Sequence, residues 1–531
     1  MNLSLTFLNW LLALAPVLVV VVLMLTFRWG GSKAGGMGWF VSILVAVGAF
    51  GARFELLAVA QVKALLLSLD VLMIIWSALL LFMIAREAGA IDFIAQVLPR
   101  FTNDRLMQSL LIGWLMASFL QGLGGFGVPV AVVAPLLVGL GFSPIQAVAM
   151  ASIGHGWAVT FGSLASSFQS LIAVTGLPGE TLAPMSALLL GIACFPSGWL
   201  VALIGSGWKG LKRAFVPVMI VSLAVGSAQY LLATNQLWTL GAAGASLVGL
   251  LVMFFLLRLP FYRKQPEQDA EHTQGVQANP EKGKSSWLSL LAYGLLVVLA
   301  FTANLIPAVD SFLSQVTFTL KFPQVETAFG WVTPAGTGRV ISLLNHPGMI
   351  LLITCVISYV VYRMSGLIQH GALKSILRST LKGGMNSSLG ILAMVGVASI
   401  MMHSGMTFML AQGLSVNVQR DLYPLVSPFI GALGAFITGS NNNSNVLFAV
   451  LQQSAAELLD ISVPLILAAQ TAGGALGSVL APAKVIVGSS TVGLAGQEGV
   501  VMRKLMVYGL ITIGTVALAA FILHLLRWGI V

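Results

Sequence analysis

The sequence predicts an all-α, polytopic membrane protein, and three observations support this. Of the 531 residues, 58% are hydrophobic and only 8% are charged, whereas a soluble chain carries about 25% charged residues. Apolar runs of nearly 20 residues, long enough to cross a hydrocarbon layer of about 30 Å, recur along the whole length. The short alternating segments that a transmembrane β-barrel requires are absent from the sequence.

The apolar runs predict roughly 12 to 14 transmembrane helices. The clearest are residues 5–27, 37–53, 66–85, 107–120, 184–206, 214–232, 238–257, 287–306, 348–362, 385–402, 424–438 and 505–526. The first run lacks a basic leader and a small-residue cleavage site, so we interpret it as a retained span and not as a signal peptide.

The net charge of +10 comes from Lys and Arg in short loops, such as "GWKGLKRAF" at 207–215. This is the positive-inside pattern and not the basic face of a nucleic-acid-binding protein. We therefore place these loops in the cytoplasm and the N-terminus outside, in a multi-pass protein of the cell (inner) membrane.

The chain divides into two predicted membrane halves, residues 1–257 and 287–531. A segment rich in Pro, Gln, Glu and Lys, 258–286, is typical of a flexible cytoplasmic linker. Each half contains one polar break, at 119–164 in the first half and at 436–491 in the second.

The two breaks share an order of features. An apolar span is followed by a Gly- or Asn-rich interruption, an apolar stretch, a proline (Pro144 or Pro464) and a helix rich in small residues. The predicted topology places the breaks on oppositely directed chains. Two inverted repeats, each with a broken helix or a re-entrant hairpin, are typical of secondary transporters that bind substrate near the membrane midplane.

The breaks carry the candidate substrate-binding residues. Backbone polar groups at membrane depth need partners, so a non-helical break is tolerated where it lines protein or a wet cavity. Glycines allow tight turns, Asn and Ser supply amides and caps, and a helix N-terminus suits a carboxylate. An ordinary solvent-exposed turn is the alternative. The candidates are Gly124, Gly125, Phe126, Gly127, Asn441, Asn442, Asn443, Ser444, Asn445, Gln470, Thr471 and Lys484.

Charged and titratable residues within the spans are few. Lys484 is either a counter-charge for an anion or a side chain that reaches the interface. No carboxylate is firmly predicted at mid-membrane, although Asp70 and Glu457 are borderline. His155 is therefore the candidate proton carrier, or else a packing residue. Asn and Ser oxygens could instead hold Na⁺.

Other function classes find no support in the sequence. Cys194 and Cys355 lie in apolar spans, and the histidines show no metal-ligand spacing. There is no phosphate-binding loop, dinucleotide fingerprint or nucleophile elbow. We expect no enzyme activity, no cofactor and no metal centre. A channel or uncoupled pore remains an alternative to a coupled carrier.

The two breaks resemble the lactate permease family, which includes glycolate permeases. The resemblance lies in "GFGVPVA" (125–131), "LLVGLGFSP" (136–144), "FITGSNNNSNVLFAVLQ" (436–452), "AGGALGSVLAP" (472–482) and "VGLAGQEG" (492–499). It implies a secondary carrier of small 2-hydroxymonocarboxylates, such as lactate or glycolate, with proton symport.

The sequence departs from the family pattern at four positions. Gln121 stands where the family commonly has Glu, Asn441 where it has Asp, His155 where it has Asn, and Lys484 where it has a small polar residue. Gln121 thus joins His155 as a coupling candidate. The changes remove two negative charges and add one positive charge, so we hypothesise a more strongly anionic or differently substituted substrate, or another coupling ion.

Overall fold

The computed structural model describes residues 3–27, 29–97, 101–125, 127–259, 287–337, 341–494 and 497–527. Most of the predicted linker, 260–286, and the candidate site residue Phe126 lie outside the described residues. The predicted division into two halves joined by that linker therefore stays a prediction.

The described chain is helical almost throughout. The helices of its first part are α1 (Phe7–Leu25), α2 (Gly31–Gly48), α3 (Phe54–Glu87), α4 (Ala90–Val97), α5 (Arg105–Gln108), α6 (Ala117–Leu123), α7 (Val128–Gly139), α8 (Pro144–His155), α9 (Gly162–Thr175), α10 (Gly179–Thr234) and α11 (Gly241–Leu257), with a π-helical stretch at Ser109–Met116 and 3₁₀ turns at Gly156–Ala158 and Trp238–Leu240.

The later part continues the helical pattern. Its helices are α12 (Leu291–Leu305), α13 (Pro307–Leu313), α14 (Pro347–Met364), α15 (Ala372–His403), α16 (Met406–Asn417), α17 (Tyr423–Thr438), α18 (Asn441–Leu458), α19 (Val463–Ser478), α20 (Pro482–Thr491) and α21 (Glu498–Leu525), with 3₁₀ turns at Trp287–Leu290 and Arg420–Leu422.

The predicted fold class, a polytopic α-helical membrane protein, is confirmed. Among the described residues, ten helices are long and apolar enough to cross a membrane, or eleven if a bent pair counts as one span. This is fewer than the 12 to 14 expected. One reason is that α10 contains two of the predicted spans, which meet at a bend where Gly207 has φ +64°.

A short β-arm lies between α13 and α14 and was not predicted. Six two-residue strands pair in a nested antiparallel ladder: β1 (Thr317–Phe318) with β6 (Ile341–Ser342), β2 (Lys321–Phe322) with β5 (Gly336–Thr337), and β3 (Val325–Glu326) with β4 (Val332–Thr333). The arm contacts the chain just before α3, where Ala328 N–H donates to the Gly51 carbonyl at 2.8 Å.

The first polar break is the tip of a helical hairpin, which we call the first hairpin (105–139). The chain ascends through α5 and α6, turns where Gly125 and Gly127 have φ +57° and +86°, and returns as α7. Its base is closed because the Arg105 guanidinium donates to the Gly141 carbonyl at 3.2 Å. Both ends of the hairpin therefore lie at the same end of the protein.

The second polar break has the same form, and we call α17 and α18 the second hairpin (423–458). The chain turns at Gly439, which has φ +73°, and Ser440 is extended before α18 begins. At the base, the Arg420 guanidinium hydrogen-bonds to the Asp460 carbonyl and lies 3.2 Å from the Asp460 carboxylate.

Each hairpin is followed by an interrupted helix. α8 starts behind a capping Ser143 and α19 behind a capping Ser462, and each has a proline, Pro144 or Pro464, in its first turn. α8 and α9 are bent by 49° relative to one another, and α19 stops before α20. α9 packs against α18, and α20 packs against α7. The predicted order of features is thus present in both breaks.

Candidate functional site

The tips of the two hairpins meet at a cavity of about 660 Å³, which we call the central cavity. The first hairpin contributes Gln121 and Gly127, and the second contributes the residues around Ser440. The interrupted helices contribute Ser163, Ser166, Ser167, Ala483 and Lys484, and the start of α2 contributes Gly30 to Lys33. The structure therefore places parts of both predicted breaks in one pocket.

Four helices begin at this cavity. The residues that precede α2, α7, α18 and α20 are Gly30, Gly127, Ser440 and Ala481, and no described side chain caps the first turn of any of the four. In α2 and α18 the first-turn N–H groups carry a partial positive charge and remain available to an anion. In α7 and α20, Pro129 and Pro482 supply no N–H, and the Val128 and Lys484 N–H groups donate to the Gly125 and Ala481 carbonyls. The expected Ser or Asn cap is absent from α18, which leaves its N-terminus open to the cavity.

The charges at the cavity are positive. Lys33 and Lys484 line it, and the described lining residues include no carboxylate. The Lys484 ammonium donates to the Ser478 hydroxyl at 3.1 Å, a neutral partner that leaves its charge uncompensated. Two ammonium groups and the N-termini of α2 and α18 make this cavity suited to an anion.

The first two asparagines of the tract join the halves of the chain. The Asn441 amide donates to the Thr160 hydroxyl at 3.1 Å and to the Thr471 carbonyl at 3.2 Å. The Ser167 hydroxyl donates to the side-chain amide oxygen of Asn442 at 2.5 Å. Both asparagines also line the cavity, so they form part of its wall and hold it together.

Among the cavity-lining asparagines, Asn443 is the one whose side chain makes no hydrogen bond within the described residues, so it is the most suited to contact a ligand. It lines the central cavity, and its buried amide oxygen has no hydrogen-bond partner within the part of the chain that the structure describes. It lies near the N-terminus of α2, since a Cβ placed on Gly31 would be 3.7 Å from the Asn443 amide nitrogen. An unpaired buried acceptor is costly, so a ligand hydroxyl would find a partner here.

The remaining polar candidates of the second half stand behind the cavity. The Asn445 amide donates to the Ser167 carbonyl at 3.0 Å and to the Thr471 hydroxyl at 2.9 Å. The Gln470 amide donates to the Ser444 hydroxyl at 3.1 Å, and Ser444 donates to the Gly431 carbonyl at 2.7 Å. All four candidates are buried, and none belongs to the cavity lining. Their hydrogen bonds hold the second hairpin against α19 and α9.

The glycines of the first tip play different parts. A Cβ on Gly124 would meet the Phe82 ring, and one on Gly125 would overlap the Ser163 hydroxyl, so both provide close packing. Gly127 lines the cavity, and a Cβ placed on it would have a methyl carbon of Val487 as its nearest neighbour, at 4.0 Å. Gln121 lines the cavity, and its buried side-chain amide oxygen has no hydrogen-bond partner among the described residues.

His155 lies at the end of α8, fully buried, and is not part of the cavity lining. Its Nδ1 lies 2.6 Å from the Ala151 carbonyl. Since a carbonyl only accepts, Nδ1 carries a proton. Nε2 is buried and has no hydrogen-bond partner among the described residues. Nδ1 of the imidazole is thus held by a hydrogen bond, whereas Nε2 has a free lone pair that can accept a proton.

One of the two borderline carboxylates is buried. Asp70, in the middle of α3, is 2% exposed, and Glu457 is exposed. The Asp70 carboxylate lies 2.9 Å from Nε2 of His346, whose Nδ1 accepts the Gly348 N–H at 3.1 Å. Nε2 therefore holds the proton that is shared with Asp70. This pair was not predicted from the sequence, because the two residues lie 276 positions apart in the chain.

Two further contributions to the cavity were missed. The serines of α9 enter it because Ser163, Leu164 and Ala165 all have positive φ, which turns the start of α9. The second is the start of α2, where "GGSK" at 30–33 faces the tip of the second hairpin. The serine-rich "GSLASS" at 162–167 was the available signal for the first contribution.

Comparisons with known proteins identify the family of this chain. The family described as L-lactate permease matches residues 9–527. An L-lactate permease of Halalkalibacterium halodurans is 27% identical over 521 residues, which is 97% of this chain and 96% of that protein. The glycolate permease GlcA of Escherichia coli is 27% identical over 531 residues, covering 95% of this chain and 93% of that protein.

A solved structure, that of the YdaH transporter of Alcanivorax borkumensis, covers 86% of this chain and 85% of its own, at 16% identity and a TM-score of 0.47. That similarity is too low to carry an argument about this fold. The family match covers nearly the whole chain, including both hairpins and the interrupted helices that follow them. The chain belongs to the L-lactate permease family.

Proposed function

We propose that this protein is a secondary active transporter that carries a small 2-hydroxymonocarboxylate, such as lactate or glycolate, across the cell membrane together with H⁺. One observation carries the proposal: the tips of both hairpins, the open N-termini of α2 and α18 and two lysines share one cavity that no described carboxylate lines. Relatives named L-lactate permease and glycolate permease support the substrate class.

The substrate carboxylate binds at the α18 N-terminus and near Lys484. First-turn N–H groups and an ammonium together supply charge-assisted hydrogen bonds. The 2-hydroxyl donates to the unpaired Asn443 amide oxygen. A substrate without a hydroxyl leaves that oxygen unpaired, so the site discriminates in favour of 2-hydroxy acids.

The inverted repeat is part of the proposal. α8 and α9 run from the base of the first hairpin, near Gly141, to a position along α18, where Asn445 and Ser167 are bonded. α9 then continues beside α18 toward the base of the second hairpin. This arrangement supports two hairpins that enter from opposite sides of the membrane, as alternating access around a central site requires.

Proton coupling is assigned to His155, with Gln121 at the cavity wall. The unpaired Nε2 of His155 can take up a proton when a bound anion offsets the positive charge of the nearby Lys484. Protonation of His155 would add positive charge near the anion, which favours binding both together. Na⁺ held by Asn and Ser oxygens is the alternative coupling ion.

The experiment is uptake of radiolabelled lactate or glycolate into proteoliposomes with an imposed pH gradient or an imposed Na⁺ gradient. We expect accumulation driven by the pH gradient and strongly reduced uptake in Asn443→Ala, Lys484→Ala and His155→Ala. Equilibration without accumulation would indicate a channel or uncoupled carrier. Normal uptake by all three variants would show that the site assignment is wrong.

The positive cavity favours a second substrate candidate, a dianionic or sulfonated acid. Lys33 and Lys484 supply two charges where one monocarboxylate needs one. Counterflow with lactate, glycolate and such analogues tests this candidate. An unchanged preference for lactate would exclude it.

A further inference from the structure

A second cavity, of about 590 Å³, lies on the same helices as the central cavity but toward their other ends, and we call it the distal cavity. On α18 it is lined by Val450, and on α9 by residues up to Thr175. On α15 it is lined from Val395 to His403, and on α3 from Lys63 to Leu67. Loop residues after α9 and the β-arm residue Phe322 complete its wall.

The two cavities are separated by a thin layer of protein. Along α18 the lining residues step from Asn443 to Val450, along α15 from Ile391 to Val395, and along α3 from Ile75 to Leu67. At 1.5 Å per helical residue, these steps correspond to about 6–12 Å. The cavities therefore lie end to end along one route through the protein.

The distal cavity carries its own positive charge. The Lys63 ammonium lies 3.2 Å from His403 Nε2, and His403 Nδ1 lies 2.8 Å from the Ser399 carbonyl. Because that carbonyl only accepts, Nδ1 holds the proton, and the unprotonated Nε2 accepts from Lys63. His403 is thus neutral, and the charge of the pair belongs to Lys63.

Nothing described in the distal cavity neutralises this ammonium. Its second contact is with the Phe322 ring, whose centroid is 5.2 Å away. The described lining residues include no carboxylate. A partly buried cation that is held only by an imidazole and an aromatic ring retains its attraction for an anion.

We propose that Lys63, positioned by His403, is a second carboxylate-binding site, where the substrate waits in the distal cavity before or after it passes the central cavity. The inference rests on the proposed transport function. Lys63 gives the distal end of the route the charge that Lys484 gives the central site. Because a single ammonium attracts the anion in the distal cavity, the substrate can leave that site readily.

The test is protection from cysteine labelling. Ala398 lines the distal cavity, whereas native Cys194 and Cys355 are buried and give a low background. We expect a membrane-impermeant maleimide to label Ala398→Cys from the distal side and lactate to slow that labelling. Adding Lys63→Gln should weaken protection, raising the lactate concentration for half-protection by about tenfold or more, whereas Lys63→Arg should preserve it.

Asn443→Ala separates the two sites. In an Ala398→Cys, Asn443→Ala background, lactate should still protect, because the distal site does not use the central one. Protection that survives Lys63→Gln but is lost in Asn443→Ala would overturn the inference, since lactate would then act from the central cavity. Normal lactate uptake in that case would leave the proposed transport function standing, whereas loss of uptake by the unmodified protein would overturn both.

Discussion

The Ser167 hydroxyl donates to the side-chain amide oxygen of Asn442 at 2.5 Å and so connects α9, in the first half of the chain, with the first turn of α18, in the second. The same residue receives a second bond from α18, because its carbonyl accepts from Asn445 at 3.0 Å. Two bonds at one residue fix the lateral position of α9 against the second hairpin tip. The wall of the central cavity is therefore formed and held together by helices from both the earlier and the later part of the chain.

Asn443 and Asn445 should respond differently to truncation. Asn443→Ala removes an unpaired cavity acceptor, so we expect the substrate KM to rise about three- to tenfold with little change in stability. Asn445→Ala removes bonds to Ser167 and Thr471 and should lower the free energy of unfolding by about 1–3 kcal/mol. Uptake kinetics and thermal unfolding in detergent measure the two effects. If Asn443→Ala lowered the free energy of unfolding and Asn445→Ala raised the KM, Asn445 would be the ligand-binding residue and Asn443 the structural one.

Lys484 should contribute mainly through charge. Lys484→Gln keeps a hydrogen-bond donor for Ser478 but removes the ammonium, so we expect substrate affinity to fall about tenfold. Lys484→Arg, which keeps the positive charge, should retain a larger part of the substrate affinity. Lys209→Gln, which changes an exposed lysine at the bend of α10, is the matched control. Equal affinity for wild type and Lys484→Gln would place the anion elsewhere.

The close approach of Gly125 to Ser163 predicts a specific rescue. A Cβ at Gly125 would overlap the Ser163 hydroxyl and sits at φ +57°, so Gly125→Ala should be strongly destabilising. Adding Ser163→Ala removes that hydroxyl and should restore part of the loss. Gly127→Ala has open space and should cost only about 1 kcal/mol of backbone strain. Thermal unfolding of wild type, Gly125→Ala, Ser163→Ala and the double variant completes the double-mutant cycle, and additive losses would contradict the predicted rescue.

The positions of the two breaks could be predicted from the sequence, but which of their side chains line the cavity could not. Gly124, Gly125, Gly127 and the Asn/Ser tract stand out because each group interrupts an apolar run. Which asparagines line the cavity depends on where α18 begins, and the helix starts at Asn441, inside the tract. Asn441, Asn442 and Asn443 all line it, but the first two also bond to protein through their side chains, whereas Asn443 makes no such bond within the described residues. Composition alone does not distinguish them.

Contacts between distant parts of the chain were also beyond sequence reasoning. The turn at Ser163–Ala165 uses positive φ in three residues that rarely adopt it, so no local propensity predicts it. Asp70 and His346 pair across 276 positions, and Lys63 and His403 across 340. Such pairs have no spacing rule, because helix packing alone brings them together.

The buried Asp70–His346 pair should be important for stability. Asp70→Ala removes the acceptor for His346, which positions the first turn of α14 through Gly348. Breaking one side of a buried pair costs about 3–5 kcal/mol, so we expect a large fall in thermal stability. Asp70→Asn, which can still accept the imidazole N–H, should be milder. An unaltered unfolding temperature in Asp70→Ala would show that the contact contributes little.

His155 tests the coupling assignment directly. His155→Asn removes the titratable group but keeps a polar side chain at the end of α8, so lactate counterflow, which needs no net proton movement, should persist. Accumulation driven by an imposed pH gradient should be lost, because no proton would travel with the anion. His370→Asn, at an exposed histidine beside Arg363, is the control and should accumulate normally. Full pH-driven accumulation in His155→Asn would assign the proton to another group, and Asp70 with His346 would then be the next pair to examine.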